Sequence, residues 1–333
     1  MARVGVVAIG RNEGERLRRC LASLDPAARP TVYVDSGSTD GSPELGGSLG
    51  AHVVALDLSV PFTAARARNA GFERLLAMAP DVEYVQFVDG DCEVDPGWIP
   101  TATAVLDQRP DVAVVCGRRR ERFSEATVYN RLCDLEWDSP PGETDACGGD
   151  ALMRVSALKA MGGYRSNLIA GEEPELCVRL RTNGGKIVRV AAEMTRHDAA
   201  MTQFGQWWRR NVRAGHAFAE VSHLHSRSPF GIWKKEVRSN WLWGFLVPVV
   251  AIVAAPFTLG MTLLLLLGYA TLYWKIARGR RRQGDDPKTS RLFARYCVLS
   301  KFPQAIGQMR FWRNRLFGGS NRLIEYKGPG TTE

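Results

Sequence analysis

Two aspartates separated by a single glycine, Asp89-Gly90-Asp91, close the apolar run YVQFVD. In an extended segment the carboxylates at i and i+2 project to one side, and the glycine lets a ligand approach closely. Hard oxygen ligands suit Mg2+ or Mn2+, and such ions combine one or two carboxylates with substrate phosphates. Taken alone, the same three residues also fit a turn between a strand and a helix. Asp81, Glu93 and Asp95 show that acids are common in this stretch. A second cluster, YVDSGSTDGS at 33–42, follows Asp35 with a loop dense in Gly, Ser and Asp and containing Asp40. Such a loop can wrap a nucleoside while a carboxylate accepts from base or ribose, or it can be merely a loop. In ARARNAG at 65–71, Arg66 and Asn69 stand three apart and can share a helix face. A guanidinium fork there suits phosphate, although an exposed charge would look the same. His197, in TRHDAAM, offers either a third metal ligand or a structural histidine.

The elements that must position these residues alternate along the first half. VGVVAI (4–9), TVYVD (31–35), HVVAL (52–56), YVQFVD (84–89) and VAVVCG (112–117) read as strands. Helical spacing falls between them at 12–24, 63–78 and 95–108, the last opening with Asp-Pro. This β-α-β-α rhythm predicts a parallel sheet covered by helices on both faces. In such sheets ligands bind beyond the carboxyl ends of the strands, where RNE (Arg11 to Glu13), DSGSTDGS and DGD all fall. Further on, the pattern predicts a short strand and helix at 151–164, a helix at 172–185 and two short strands at 186–198. A basic aromatic helix follows at 203–224.

Six segments in this order resemble glycosyltransferase family 2: VVAIGRNEGERLRRCLASL, YVDSGSTDGS, ARARNAG, FVDGDCEVDPGW, CGGDALMRVSALKAMGGY and AGEEPELCVRLR. The resemblance covers residues 3 to about 200 and implies a GT-A (Rossmann-like) mixed α/β sheet flanked by helices. It implies that Glu13 and Asp35 contact the nucleoside, with Arg11 and Asp40 also among the donor-binding residues. Arg66 or Asn69 would lie near the diphosphate, Asp89 and Asp91 would serve metal and donor, and Asp150 would accept from an acceptor hydroxyl. It also implies that the acidic pair Glu172-Glu173 supplies the base of an inverting transfer, with Glu173 at the base position where Asp is more common. QWWRR (206–210) is similar to the QxxRW signature of processive synthases but has Arg210 in the last place. Trp207 and Trp208 could stack on an acceptor sugar with Arg209 beside them, or the helix could dock on a membrane.

Charge is unevenly distributed. Residues 1–199 hold 23 Lys and Arg against 29 Asp and Glu, a net of −6, whereas residues 275–333 hold 14 against 4, a net of +10. Between them, 239–274 is 36 residues without a charge, with Pro256 and Gly260 at its middle and basic residues at both ends. One span needs about 20 apolar residues, and flanking cations favour the cytoplasmic side. The expectation is a transmembrane or re-entrant helical hairpin that enters and leaves on one side of the cytoplasmic membrane. The predicted domains are therefore 1–225, catalytic; 226–282, the hairpin; and 283–333, a basic amphipathic segment suited to membrane lipid. No nucleic-acid-binding motif accompanies the charge, so nucleic acid is not an expected partner. The start, MARVGVVAIGRNE, does not read as a signal peptide. Seven scattered cysteines without a CxxC pair argue against a disulfide framework or structural zinc.

The expected activity is an inverting, Mg2+- or Mn2+-dependent transfer from a nucleotide-sugar donor to a lipid-linked or other saccharide acceptor. Two alternatives stand beside it: a sugar nucleotidylyltransferase, and a non-catalytic membrane scaffold that binds nucleotide sugar. The first would want glycine where Glu13 stands. A nicotinamide-dependent oxidoreductase lacks its GxGxxG after the first strand.

Overall fold

The computed structural model describes residues 3–319 together with 324 and 325; the rest of the C-terminal segment lies outside the described residues. Two compact units are formed. One runs through Thr202 and takes in Ser228–Phe230, and the other comprises Gln203–Arg227 and the described residues from Gly231 to Gly319.

The first unit contains, in order, β1 (Val4–Gly10), α1 (Glu15–Leu24), β2 (Thr31–Asp35), α2 (Ser42–Ser48), β3 (His52–Ala55), α3 (Ala64–Met78), β4 (Tyr84–Asp89) and β5 (Cys92–Val94). It continues with α4 (Trp98–Gln108), β6 (Val112–Glu121), α5 (Val128–Trp137), β7 (Gly142–Glu143), β8 (Ala151–Arg154), α6 (Val155–Ala160), α7 (Glu172–Thr182) and β9 (Lys186–His197). The strand order is β3-β2-β1-β4-β8-β6-β9-β5, with β7 on β9. β3, β2, β1 and β4 are parallel. β8 is inserted antiparallel between β4 and β6. The sheet is therefore mixed, as the family resemblance implies, and not wholly parallel as the β-α rhythm alone predicts. The central strands read as continuous apolar runs because both faces are covered: Val6, Val7, Ala8, Val32 and Val34 are fully buried.

Two helices sit on the sheet at close range. A Cβ added at Gly71 of α3 would lie 2.4 Å from a Val7 methyl and 2.8 Å from a Val34 methyl, so the helix backbone rests directly on β1 and β2. Thr63 caps α3, its hydroxyl accepting from the Arg66 amide at 3.1 Å and donating to the Ser166 carbonyl at 2.8 Å. On the other face, Trp98 of α4 is fully buried and donates to Gln86 of β4 at 2.8 Å. β9 is one twelve-residue strand where two short ones are predicted. Register shifts against β6 at Cys116/Arg118 and Arg118/Arg119 bend it without ending it.

The second unit is helical: α8 (Phe204–Leu224), α9 (Lys234–Trp241), α10 (Val247–Val253), α11 (Gly268–Arg282), α12 (Pro287–Leu299) and α13 (Lys301–Phe317). α8, counted with the catalytic domain in the sequence reading, packs within this unit instead. Its Gly215 and Gly307 of α13 let the two backbones touch, since a Cβ at either would fall 2.0 Å from a carbonyl oxygen of the other helix. A wide π turn at Leu242–Leu246 joins α9 to α10, and tight turns at Ala255–Thr258 and Met261–Leu267 lead into α11. The two arms lie against each other: Thr262 donates to the Ala251 carbonyl at 3.1 Å, and the Tyr269 hydroxyl donates to the Trp243 carbonyl. The connecting tip is almost fully exposed, with Phe257 at 86% and Leu259 at 97%. Lys234–Val253 is long and apolar enough to cross a membrane.

Candidate active site

Loops at the carboxyl ends of β1 and β2 interlock. Asp35, buried at the end of β2, accepts from the amides of Gly37 and Ser38 at 2.9 Å each, and from the Tyr33 and Ser38 hydroxyls. Asn12, at positive φ, accepts from the Thr39 amide at 2.7 Å, while its own amide donates to Ser38 at 2.8 Å. Asp40 accepts from the Ser42 amide at the start of α2. Glu13 is buried and pairs with Arg16 at 2.8 Å. Arg11 is exposed, its guanidinium 4.9 Å from the Phe62 ring. These predicted donor residues thus gather at one rim, although the Asp35 carboxylate is spent on holding the loop.

The centre of the site is Arg68. Its side chain is 2% exposed, and its guanidinium meets three carboxylates: Asp89 at 2.8 Å, Glu172 at 2.8 Å and Glu173 at 2.9 Å. Arg68 stands three residues before Gly71 on the sheet-facing side of α3, so the close seating of that glycine carries the guanidinium to the strand ends. Glu172 and Glu173 open α7 after Gly171, whose φ of 81° is one that glycine adopts without strain. Burial, then the neighbouring Glu172 charge, push Glu173 up to about 7 against the opposing pull of Arg68.

Arg119 forms a second clamp. It binds Asp150 through Nε at 3.0 Å and reaches Asp89 at 3.4 Å. Asp150 also accepts from Thr195 at 2.7 Å and from the Asp89 amide at 3.0 Å. Burial opposes its charge, but Arg119 and these donors outweigh it and hold the carboxyl below its ordinary range. Gly149 closes over the pair: a Cβ there would lie 2.8 Å from both Arg68 Nη2 and Asp89 Oδ2.

Asp91 turns elsewhere. β4 ends at Asp89 and β5 begins at Cys92, so Gly90 and Asp91 form a turn. The alternation expected of an extended segment does not hold there. Gly90 packs on the end of β1, where a Cβ would sit 3.1 Å from the Ile9 carbonyl oxygen, so it serves strand packing rather than ligand approach. Asp91 Oδ2 lies 3.2 Å from His197 Nε2. Asp91, Cys92 and His197 have ligand atoms close enough to share an ion, as do Asp89, Cys92 and Asp150. A carboxylate oxygen and an imidazole nitrogen converging at this distance fit a divalent cation. Burial raises the Cys92 thiol well above its usual range, which disfavours it as a hard-cation ligand. For His197, burial opposes the imidazolium but Asp91 and the bonds to Asp91 and Glu121 outweigh it, raising its pKa when no cation is bound.

Other predicted residues lie outside this cluster. Arg66 faces away and donates to the carbonyls of Val60, Pro61 and Asp57. Asn69 latches α3 to the 164–166 loop through Tyr164 and Ser166. Neither joins the carboxylates, and Arg68, between them in sequence, does. Asp150, expected to face an acceptor hydroxyl, is fully buried and saturated by Arg119, Thr195 and a backbone amide. Trp207, expected to stack on a sugar, is 2% exposed and packs on Phe204 and Tyr296 within the helical unit. Trp208 is half-buried beside Phe204 and Arg209 is exposed. Arg119 and Glu121 carried no sequence signal beyond a basic run ending in an acid.

Mixed sheet, acidic strand ends and late glutamate pair are arranged as in the GT-A fold. The model of glycosyl transferase family 2 matches residues 6–162. A pre-mycofactocin glycosyltransferase of Mycobacterium tuberculosis is 26% identical over 235 residues, covering 67% of this chain and 48% of the relative. The chain thus spans about half the length of the curated relatives it matches. Among solved structures, the mannosyltransferase PcManGT of Pyrobaculum calidifontis, determined with GDP-Man and Mn2+, superposes with a TM-score of 0.60 at 16% identity. That match covers 94% of this chain and 88% of the other. S. aureus TarS 1–349, in complex with UDP-GlcNAc, gives 0.53 at 14% identity, covering 96% and 93%. At these identities the two structures speak for the fold.

Proposed function

We propose that this protein transfers a sugar from a nucleotide-sugar donor to a saccharide or lipid-linked acceptor, with inversion, at the cytoplasmic face of a membrane. One observation carries the reading: the buried Arg68 guanidinium holds Asp89, at the rim of the nucleotide-side loops, and Glu173, lifted to about 7, in one cluster. A base poised near neutrality beside the donor-side aspartate is what in-line displacement requires. Glu173 takes the proton from the acceptor hydroxyl as that oxygen bonds to the anomeric carbon. The bond from that carbon to the diphosphate oxygen breaks, and the nucleoside diphosphate departs with the electron pair. Arg68 holds the glutamate pair in place. Arg119 and Asp150 fix the Asp89 carboxylate and backbone.

Asp91 and His197 would hold a divalent cation, with Asp89 nearby, and such an ion supplies charge neutralisation for the departing diphosphate. An imidazole beside a carboxylate suits Mn2+ better than Mg2+. The exposed apolar hairpin with cations at both feet supports membrane attachment, and by the positive-inside rule those cations favour a cytoplasmic catalytic unit. An acceptor in polysaccharide or glycolipid assembly fits that location.

The test is a thermal-shift and turnover panel of UDP-, GDP- and dTDP-sugars with and without Mn2+. One donor class should give a Mn2+-dependent shift, and Asp91→Ala should lower turnover by about 10²–10³-fold. No metal-dependent response to any of the three, or full turnover in Asp91→Ala, would sink the proposal.

A further inference from the structure

Glu121 ends β6 with its side chain fully buried, yet it touches none of the arginines of the central clamp. Its Oε2 accepts from the Ala199 amide at 3.0 Å and lies 3.4 Å from His197 Nδ1, and its Oε1 accepts from the Phe123 amide at 3.2 Å. These amides hold a buried carboxylate that pairs with no Arg or Lys among the described residues, and each of its oxygens is fixed by one backbone amide. The other ring nitrogen, Nε2, points to Asp91. The Trp137 ring packs edge-on against His197 with centroids 4.8 Å apart, closing a further side of the imidazole.

We infer that Glu121 is a positioning residue for metal binding. It keeps the proton of His197 on Nδ1 and leaves the Nε2 lone pair directed at the space beside Asp91. This rests on the reading that Asp91 and His197 take a divalent cation. A ligating histidine whose other nitrogen donates to a carboxylate is held in one tautomer and one ring orientation, and loss of such a partner weakens metal affinity about 10–100-fold. The same carboxylate also ties Ala199 and Phe123 to the end of the β6–β9 pair, so the metal ligand and the turn after it are set by one group.

The experiment is Mn2+ titration of the purified full-length protein, followed by the EPR signal of free Mn2+, in the presence of UDP and, separately, of GDP. Glu121→Gln retains shape and can still bond His197 but carries no charge; Glu121→Ala removes the bond. The expected result is an affinity about tenfold weaker for Gln and up to about a hundredfold weaker for Ala, with melting temperatures recorded in parallel. Wild-type Mn2+ affinity in Glu121→Gln and Glu121→Ala, whatever their stability, overturns the inference. If Glu121→Ala does not fold, Glu121→Gln decides. His197→Ala separates the two levels: wild-type affinity there refutes the histidine as a ligand. Weakened binding in His197→Ala with wild-type binding in the Glu121 variants refutes Glu121 alone.

Discussion

At the scale of residues, one buried guanidinium faces three carboxylates, and the excess negative charge has to be relieved. Arg68 contacts Asp89, Glu172 and Glu173, and burial, then the adjacent Glu172 charge, raise the proton affinity of Glu173 until it titrates at about 7 instead of the ordinary 4.5. A base must be deprotonated to act, so activity is present above this value and lost as pH falls through it. The acid limb of kcat/KM should therefore have a midpoint near 7 and fall about tenfold per pH unit below it. Arg68 is the influence that opposes the rise, so in Arg68→Met the midpoint should move upward. A pH–rate profile of both proteins checks this, and a wild-type limb centred near 4.5 would remove Glu173 from the role of base.

At the scale of elements, the site depends on how closely α3 lies on the sheet. Gly71 allows that approach, and Arg68 lies one turn before it on the same face. In Gly71→Ala the added methyl meets Val7 and Val34 at less than contact distance, and both neighbours are packed strand residues with little room to yield. Overpacking of this kind costs about 1–3 kcal/mol. Moving the helix outward also loosens the Arg68 bonds, so activity should fall more than the lost stability accounts for. Denaturant unfolding alongside turnover measures both. A variant with wild-type stability and turnover would mean that α3 has slack at this point.

At the scale of the whole molecule, the two units have different surfaces. The first unit is acidic to neutral, whereas the helical unit carries the cations and the exposed apolar tip. Lys275, Arg278, Arg281 and Arg282 are all exposed at one foot of the hairpin. Near an anionic surface each such cation contributes about 1 kcal/mol. The full-length protein should float with vesicles containing anionic lipid more strongly than with neutral ones. Arg278→Glu/Arg281→Glu/Arg282→Glu should weaken that binding by about tenfold or more while turnover on a soluble acceptor persists. Equal flotation of the triple variant would assign attachment to apolar insertion alone.

The strand order's beginning, the acidic strand ends and the glutamate pair at a helix start were all legible in the amino-acid order. Each depends on residues close in the chain: an apolar run that stops at an acid, a helix that opens after a glycine. The family likeness then supplied the mixed sheet that β-α alternation by itself did not. Folding alone decided which of two arginines in ARARNAG turns inward, because Arg66 and Arg68 differ only in helical phase relative to a sheet they meet after the chain has closed. It also decided that Asp150 is consumed by Arg119 and Thr195, and that Trp207 is covered by Tyr296. His197 and Glu121 come together across 76 residues of sequence. Their pairing depends on the register of β6 and β9, which neither strand specifies in isolation. Local pattern determines where chemistry-bearing side chains begin; the packing of one element on another determines which of them face each other.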